Sequence, residues 1–372
     1  MAQSLTSAAL NNVQERLYSL FGGDTPYSSQ QFTYPGDTVN ALFKENTART
    51  SEVLRNGQCI GVDVKFLDWG SSGATYTGAP GSDTLACDLA AGDDATAGTK
   101  TYTNNILVRH NFNVDDNLCG SLFNDAPNNR DKQAQAATII AEGMALSMRN
   151  IREGLNTTAV TFLNATRSPV NLDTNLPSYL SFDNTNDYFE AAESYYQDPR
   201  FLTDINFTAQ NNNINSFFLI TGRKNFANAF TDSRYLRLND NQRNYVQFDD
   251  FNMYVDPRAI DSALSSANTF VVGRGSYVVW NRSWSTPDPF QVDEDKWEFV
   301  VRDPFLVIME NGTMRPVLYE VVYQKTCAGR DSNTRHYFNH EFEVKFLGGI
   351  DEAPPAPNTH TNIMRFTAIE GA

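Results

Sequence analysis

Residues 70–99 contain six glycines, four aspartates and no lysine or arginine. Such a segment has too few apolar side chains to build a core of its own. It lies between two runs in which apolar and polar residues alternate, 62–66 and 106–114, and alternation is typical of half-buried strands. We therefore predict a two-stranded arm with residues 70–99 at its tip. Because an isolated hairpin is only marginally stable in water, this arm needs a partner surface.

The N-terminal region is predicted to begin with a helix, because its apolar residues recur every three or four positions. These residues are Leu10, Val13, Leu17, Leu20 and Phe21. Gly22-Gly23 ends the pattern. Residues 22–52 are polar and contain Pro26 and Pro35, so we predict an extended arm that packs on another surface, with a floppy leader as the alternative.

A long helix is predicted to follow, starting near Asp125 and Pro127 and ending at Arg167-Ser168-Pro169. Its apolar stripe consists of Ile140, Met144, Met148, Ile151, Leu155 and Phe162. A stripe that is rich in methionine is more often core than a cofactor site. Gly143 and Gly154 each weaken a helix by about 1 kcal/mol, so we expect a bend near Gly154.

The remaining chain alternates short helices and strands, which indicates an α+β fold. We predict a short helix over 188–196, a buried strand over 217–220, a helical turn with Phe226 and Phe230, and a helix after Asp256-Pro257 that includes Ile260 and Leu264. Further strands are predicted over 269–272, 277–280, 297–301, 305–309, 317–323 and 336–346. The proline-rich residues 353–357 predict an extended tail.

Charge and targeting signals limit the classes of function. The net charge of −15 repels phosphate backbones, which argues against a nucleic-acid-reading protein but not against a container. Residues 1–5 show neither a basic segment nor an apolar run, so we expect no signal peptide, and no apolar stretch is long enough to span a membrane. Cys59, Cys87, Cys119 and Cys327 are widely spaced and indicate free thiols. The sequons at Asn156 and Asn311 are then chance matches.

The chain shows no motif for phosphate binding, for an acyl-transfer serine or for a zinc protease. His336 and His340 lie in a strand pattern, where four residues span about 13 Å, so they cannot share one metal ion. Asp183 with Asp187, and the run 293–295, lack the spacing of a calcium loop and indicate solvated acidic turns. Gly273-Arg274-Gly275 is interpreted as a hairpin turn. We therefore expect no enzyme, and no catalytic, cofactor-binding or metal-binding residues.

The order of these elements resembles that of the major capsid proteins of tailed bacteriophages, whose Hong Kong 97-type fold is shared with encapsulins. The resemblance lies in the layout: an N-terminal arm, a long two-stranded loop and the helix from Pro127. It also includes the strand-glycine step Asn215 to Gly222 with Phe226, and the segment from Thr269 to Asn281, which is similar to a later hairpin of that family.

The resemblance implies a division of the chain into an arm, an extended loop, a peripheral domain with a spine helix, an axial domain, and a returning strand with a tail. The corresponding residues are 1–52, 53–113 (tip 70–99), 114–180, 181–325 and 326–372. Because the arm starts almost at residue 1, the resemblance also implies that any scaffolding protein is a separate chain.

For function, the resemblance implies self-assembly through pentamers and hexamers into an icosahedral shell. The shell would enclose the double-stranded DNA of a tailed phage without sequence-specific binding. Expected partners are further copies of the chain, a portal, a scaffolding protein and, as a further possibility, decoration proteins. No membrane contact or cofactor is expected, and the location is the virion, after assembly in the host cytoplasm.

Two other classes of function remain open from the sequence. One is another phage or cell-surface component, such as a tail-tube or adhesin-like module, although such modules are mostly β and the long helix argues against them. The other is a hydrolase with dispersed carboxylates, because paired carboxylates need no local motif. Some members of the capsid family that this chain resembles join their subunits by isopeptide bonds from a lysine of the extended loop. Here only Lys65 and Lys100 lie near the tip, so we expect non-covalent particles.

Overall fold

The computed structural model describes residues 6–21, 38–55, 58–68, 96–115, 130–196, 198, 200–222, 245–247, 251–256, 260, 268–283, 285–330, 336–353 and 361–369. The helices are α1 (Ser7–Phe21), α2 (Thr38–Lys44), α3 (Arg130–Ala165), α4 (Glu193–Tyr196) and α5 (Arg200–Asn211). The first strands are β1 (Thr50–Arg55), β2 (Gln58–Asp68), β3 (Thr96–Thr103), β4 (Ile106–Asp115), β5 (Leu180–Asp183), β6 (Tyr188–Ala192), β7 (Phe217–Thr221) and β8 (Tyr245–Gln247).

The later strands are β9 (Asn252–Val255), β10 (Asn268–Gly273), β11 (Tyr277–Asn281), β12 (Phe290–Asp293), β13 (Lys296–Glu310), β14 (Thr313–Arg330), β15 (His336–Glu352) and β16 (Ile363–Ile369). This mixture of helices and strands confirms the α+β class. The helical turn with Phe226 and Phe230, and most of the helix expected after Asp256-Pro257, lie outside the described residues.

The predicted first helix is confirmed as α1, with Leu10, Val13, Leu17 and Leu20 buried. The extended arm predicted for 22–52 is wrong in its described part. Residues 38–44 form α2, which contributes Leu42 and Phe43 to the main core of the same chain. Four of the seven residues of α2 are apolar, but the helix is short and lies within the polar stretch 22–52, which obscured it.

Helix α3 is 36 residues long, or about 54 Å at 1.5 Å per residue. The predicted stripe from Ile140 to Leu155 is buried. Strand β4 crosses this helix closely, and the two helix glycines make room for it. A Cβ at Gly143 would lie 2.6 Å from Phe112 Cε2, and one at Gly154 would lie 3.0 Å from Val108 Cγ1.

The two-stranded arm exists, but its second strand was predicted wrongly. β2 pairs antiparallel with β3, from Gly61 opposite Thr103 to Asp68 opposite Thr96. The expected partner, β4, pairs instead with β15 in another sheet. β3 has the sequence TAGTKTYT, in which apolar and polar residues do not alternate, so it was not recognised as a strand. The segment that joins β2 to β3, 69–95, lies outside the described residues.

A six-stranded sheet has the order β11-β15-β14-β13-β12, with β4 also paired to β15. The strands predicted over 297–301 and 305–309 are one strand, β13, interrupted by a bulge between Arg302 and Val307. Pro304 lies in this bulge, where proline is tolerated because it has no amide hydrogen to donate. Asn311 and Gly312 connect β13 to β14 with φ of 51° and 77°, the turn that an Asn-Gly pair favours.

A seven-stranded sheet has the order β5-β6-β16-β10-β7-β9-β8. Three expectations are corrected here. Residues 188–192 form strand β6 rather than helix, and residues 363–369 form an inner strand rather than a tail. β10 and β11 do not form a hairpin, because the turn at Gly273-Arg274-Gly275 sends them into different sheets. Gly275 adopts a φ of 85° in that turn, which glycine accepts without strain.

The core lies on both faces of the seven-stranded sheet. Phe218 and Ile220 face a large cluster that also contains α1, α2, α3 and the inner face of the six-stranded sheet. Phe217 and Leu219 face a second cluster with α5. The predicted strand over 217–220 is confirmed, and its continuous burial follows from being covered on both sides. Residues 181–325 therefore contribute strands to both large sheets and side chains to both cores.

Candidate assembly surface

The base of the β2–β3 hairpin packs on the body of the same chain. Val62, Val64 and Tyr102 form a small apolar cluster with Val278 and Trp280, and the Tyr102 and Trp280 rings lie 5.6 Å apart. Burial raises the pKa of the Tyr102 hydroxyl, so it stays protonated and donates a hydrogen bond to the Glu352 carbonyl at 2.6 Å. The arm therefore has a fixed root, whereas the sequence predicted an arm without any core.

Hydrogen bonds extend this root into the strand ends around it. Trp280 Nε1 donates to Asn104 Oδ1 at 2.9 Å, and Asn105 Nδ2 donates to the Ile350 carbonyl at 3.0 Å. Gly61 lies so close to the neighbouring strand that a Cβ would approach the Tyr102 carbonyl oxygen to 1.8 Å. The hairpin is thereby held in one register where it leaves the body.

Strand β1, the third strand of this sheet, is tied to the β13–β14 turn. Thr50 N donates to Asn311 Oδ1 at 2.9 Å, and Asn311 Nδ2 donates to Thr50 O at 2.9 Å. Beside them the buried pair Arg282–Glu310 has a nitrogen–oxygen distance of 2.5 Å, and Thr50 Oγ1 donates to Glu310 at 3.2 Å. These residues were missed in the sequence. Only Asn311-Gly312 carries a local signal that could have indicated a turn here, and the sequence analysis interpreted Asn311 only as a sequon.

The lysines nearest the arm tip lie on the paired strands. Lys65 is opposite Thr99 and is exposed. Lys100 is opposite Val64, and its ammonium nitrogen lies 4.6 Å from the centre of the Tyr102 ring. A cation over an aromatic face is stabilised by the ring quadrupole. Lys100 therefore has a stabilising contact within its own chain.

Several large apolar side chains are exposed on the described surface. Phe290 and Val292 lie on β12, whose four residues are all exposed, at 39% and 49% for these two. Leu54 on β1 is 62% exposed and Leu107 on β4 is 58% exposed. Short edge strands with exposed apolar residues can take part in contacts between chains.

The buried carboxylates of the described residues hold elements together. Asp303 Oδ2 accepts a hydrogen bond from Tyr319 at 2.7 Å and lies 3.2 Å from Arg152 Nε. Its Oδ1 accepts the amides of Phe305 and Leu306, at 2.8 and 3.1 Å, so it also closes the β13 bulge. A carboxylate that is used in this way ties α3 to the sheet and is poorly suited to proton transfer.

A second buried carboxylate caps α2. Asp256 Oδ2 accepts hydrogen bonds from Thr38 N at 3.2 Å, Thr38 Oγ1 at 2.7 Å and Asn156 Nδ2 at 2.6 Å. Val39 N in turn donates to Asn156 Oδ1 at 2.9 Å. Asn156 is fully buried and Asn311 holds Thr50, so neither sequon asparagine is free to carry a glycan.

Asp204 accepts hydrogen bonds from the hydroxyls of both Tyr179 and Tyr195. Burial, and then the bond to Asp204, raises the pKa of each phenol. A raised pKa makes a phenol a weaker acid and keeps the nucleophilic phenolate scarce. The cluster is therefore suited to packing α5 against the loop before β5.

The residues that were considered for metal binding lie on strand β15 and in two turns. His336 and His340 lie on β15, and His340 is buried with Nδ1 2.8 Å from Tyr323 Oη. Asp183 starts the turn between β5 and β6, where hydrogen bonds from Asn186 and Thr185 lower the pKa of its carboxyl. Asp293 to Asp295 form the turn between β12 and β13. Within the described ranges, no three His, Cys, Asp or Glu side chains are grouped as for a metal ion.

Cys59 is a buried free thiol, as expected, and burial raises its pKa. The side chains of Cys87, Cys119 and Cys327 lie outside the described part of the chain. Among the described helices, none has a stretch long and apolar enough to cross a membrane.

The sequence matches no protein-family model, and the comparison with curated proteins gives no match. The structure is similar to the capsid of cyanophage P-SCSP1u, with 10% identity and a TM-score of 0.40, covering 94% of this chain and 92% of that one. It is also similar to the capsid of cyanophage Pam1, with 10% identity and a TM-score of 0.41, covering 90% and 93%.

An encapsulin from Synechococcus elongatus is similar with 8% identity and a TM-score of 0.32, covering 73% of this chain and 77% of that one. Phage capsid proteins and encapsulins are the two groups that the order of elements in the sequence resembles. All three TM-scores are below 0.5.

Proposed function

We propose that this chain is a major capsid protein that assembles with itself into a closed shell around phage DNA. The observation that carries the proposal is the rooted hairpin: β2 and β3 are locked to the body by Tyr102 and Trp280 and lead into residues 69–95. The composition of this loop gives it no core of its own, and a loop of this kind on a fixed base is suited to reaching a neighbouring subunit.

The arrangement of the cores supports the same proposal. Helix α3 and the six-stranded sheet would form the peripheral domain, and the seven-stranded sheet with α5 would form the axial domain. β16 connects them, because Ile363 belongs to the large core and Phe366 to the second core. A shell subunit must transmit load between its contacts. Strand β16 lies inside the sheet between the two cores and joins them, so this chain is suited to that.

The finer features of the proposal are the expected partners and location. Pentamers and hexamers would form an icosahedral shell around double-stranded DNA, with a portal, a separate scaffolding protein and decoration proteins as partners. The net charge of −15 suits a wall that does not adhere to the packaged phosphates. We propose no enzymatic activity, because the buried carboxylates described above hold structural bonds.

Electron microscopy of the purified chain, with and without residues 70–95, tests the proposal. We expect closed particles from the full chain, and a folded subunit without particles from the deletion, because β2 and β3 keep their root. The matched control replaces 70–95 by a Gly/Ser linker of equal length, which should also form no particles. Closed particles from either variant, or a purely monomeric full chain, would contradict the proposal.

A further inference from the structure

The long strand β13 has one edge that its neighbouring strands leave open. One edge pairs with β14, and the other pairs with β12 only over Lys296 to Glu298. Pro287 and Pro289 precede β12 and cannot donate ladder hydrogen bonds, which ends the pairing there. In the described part of the chain, no strand pairs with this edge beyond Glu298. An open edge of this kind can pair with a strand of another chain.

Helix α1 closes the next part of the edge with two side chains. Gln14 Nε2 donates to the Val300 carbonyl at 3.3 Å and to the Pro287 carbonyl at 3.0 Å. The Arg302 amide donates to Tyr18 Oη at 3.2 Å. Four residues of helix rise about 6.0 Å and two residues of strand rise about 6.6 Å. Gln14 and Tyr18 therefore match the spacing of Val300 and Arg302.

The rest of the edge is closed by other side chains. Asp303 accepts the amides of Phe305 and Leu306 within the bulge. Asn46 Nδ2 donates to the Met309 carbonyl at 2.9 Å. Beyond Glu298, side chains therefore bond to β13 at Val300, Arg302, Phe305, Leu306 and Met309. Among the described residues, α1 is the only helix that supplies such a bond.

The contact of α1 with the edge is thin compared with its contact with the core. Leu10, Val13 and Leu17 are fully buried in the large core. By contrast, Tyr18 is 41% exposed, and a cavity of about 560 Å³ lies between α1, the 285–288 loop and β13. Two hydrogen bonds without close packing around them add little to stability, so their main effect is on what the edge can bind.

We propose that α1 serves as a cover that prevents the β13 edge at Val300–Arg302 from pairing with a second copy of this chain. The second copy is the relevant partner because each copy carries the same edge. Two identical edges can pair antiparallel about a twofold axis and satisfy both at once. This role is independent of the proposed shell, since it concerns an association that the fold avoids.

The test uses the full chain with Gln14→Glu and Tyr18→Phe combined. Glutamate has the shape of glutamine, but its carboxylate repels the two carbonyls, and phenylalanine removes the acceptor of the Arg302 amide. Asn11→Asp is the matched control, because it makes the same charge change at an exposed position one turn earlier. Hydrogen exchange followed by mass spectrometry reports on residues 298–303, and sedimentation velocity reports on association.

We expect exchange of the Arg302 amide to become roughly tenfold faster in the double variant, because this amide loses its acceptor, and exchange throughout 298–303 to be unchanged in the control. We also expect concentration-dependent species that the control lacks. Adding Val300→Pro should abolish them, because proline removes the edge amide that a second copy would use. If the double variant unfolds, Tyr18→Phe alone serves as the test. We expect it to accelerate exchange of the Arg302 amide and of no other amide in 298–303. Unchanged exchange, or association that persists with Val300→Pro, would overturn the proposal.

Discussion

Gly143 shows how one residue in a helix can be required by a strand that packs on it. The Phe112 ring fills the space where a Cβ would lie, and it is stacked on Phe342 with ring centres 5.0 Å apart. From sequence alone, Gly143 indicated only a weaker helix. The glycine is required because β4 packs against the helix at this point. No local sequence pattern could show a contact with that separate strand.

Gly143→Ala is therefore expected to destabilise the subunit, although alanine favours helix by about 1 kcal/mol. Overpacking costs about 1–3 kcal/mol, and the stacked ring cannot move freely, so we expect a net loss of about 1 kcal/mol. Urea unfolding of the unassembled subunit measures it. In a Phe112→Leu background the same alanine should be neutral or stabilising. A loss of equal size in both backgrounds would show that the ring is not the cause.

Ile151 tests the predicted stripe of α3, which the structure confirms. Its side chain is fully buried in the large core, so Ile151→Asp places a carboxylate among apolar neighbours. We expect a loss of about 4 kcal/mol or more in the free energy of unfolding. Leu146→Asp is the control, since Leu146 lies on the same helix and is 47% exposed. Similar losses in the two variants would contradict the burial of the stripe.

At the scale of elements, a buried ion pair between Asp303 and Arg152 joins the bulge in β13 to helix α3. Arg152 is 4% exposed and Asp303 is fully buried, and the Arg152 guanidinium carbon also lies 5.3 Å from the centre of the Phe305 ring. A buried pair adds little stability as a pair, but removal of one partner leaves an uncompensated charge.

Arg152→Met is accordingly expected to cost about 3–5 kcal/mol of unfolding free energy. The double variant Arg152→Met with Asp303→Asn should recover part of this loss, because asparagine is neutral and its Oδ1 can still accept the bulge amides. Guanidinium unfolding of these two variants, of Asp303→Asn and of the unmodified chain gives the free energies for a double-mutant cycle. Additive losses in the double variant would mean that the two groups are not coupled.

Elements with strong periodicity were predicted well, and their pairing was not. α1, α3, β7 and β15 follow from the spacing of their apolar residues. The partner of β2 could not be predicted, because β3 is polar and a better alternating strand, β4, follows it directly. β16 was missed for a similar reason: seven residues after a proline-rich segment show no pattern that places them between β6 and β10. The anchoring contacts of Thr50 and Arg282 bridge distant segments and leave no local signal.

At the scale of the whole molecule, the chain combines a well-packed body with an arm that has a firm base. The body is closed by β16, and the β13 edge is bonded by side chains from α1, by Asn46 and by Asp303 in its own bulge. Among the described residues, exposed strands such as β12 offer apolar side chains for association, and the arm is the other surface proposed for it. In the proposed shell, this division would allow the subunit to fold alone and still associate in a limited number of ways.

Particles formed by this chain are expected to be held by non-covalent contacts only. An isopeptide bond needs an uncharged lysine amine against a side-chain amide, with an acid nearby to move the protons. Residues 70–99 contain no lysine. Lys100 is occupied over the Tyr102 ring, and Lys65 is exposed to solvent on a paired strand. Neither has the desolvated setting that the reaction requires.

Boiling mature particles in detergent and reductant, followed by a denaturing gel, measures this directly. We expect one band near 41.6 kDa, the mass of the monomer. Lys65→Arg and Lys100→Arg, which keep the charge but cannot form the bond, should give the same band and the same particles. A ladder of heavier species would contradict the prediction. If one of the two arginine variants then removed the ladder, that lysine would be identified as the donor of the bond.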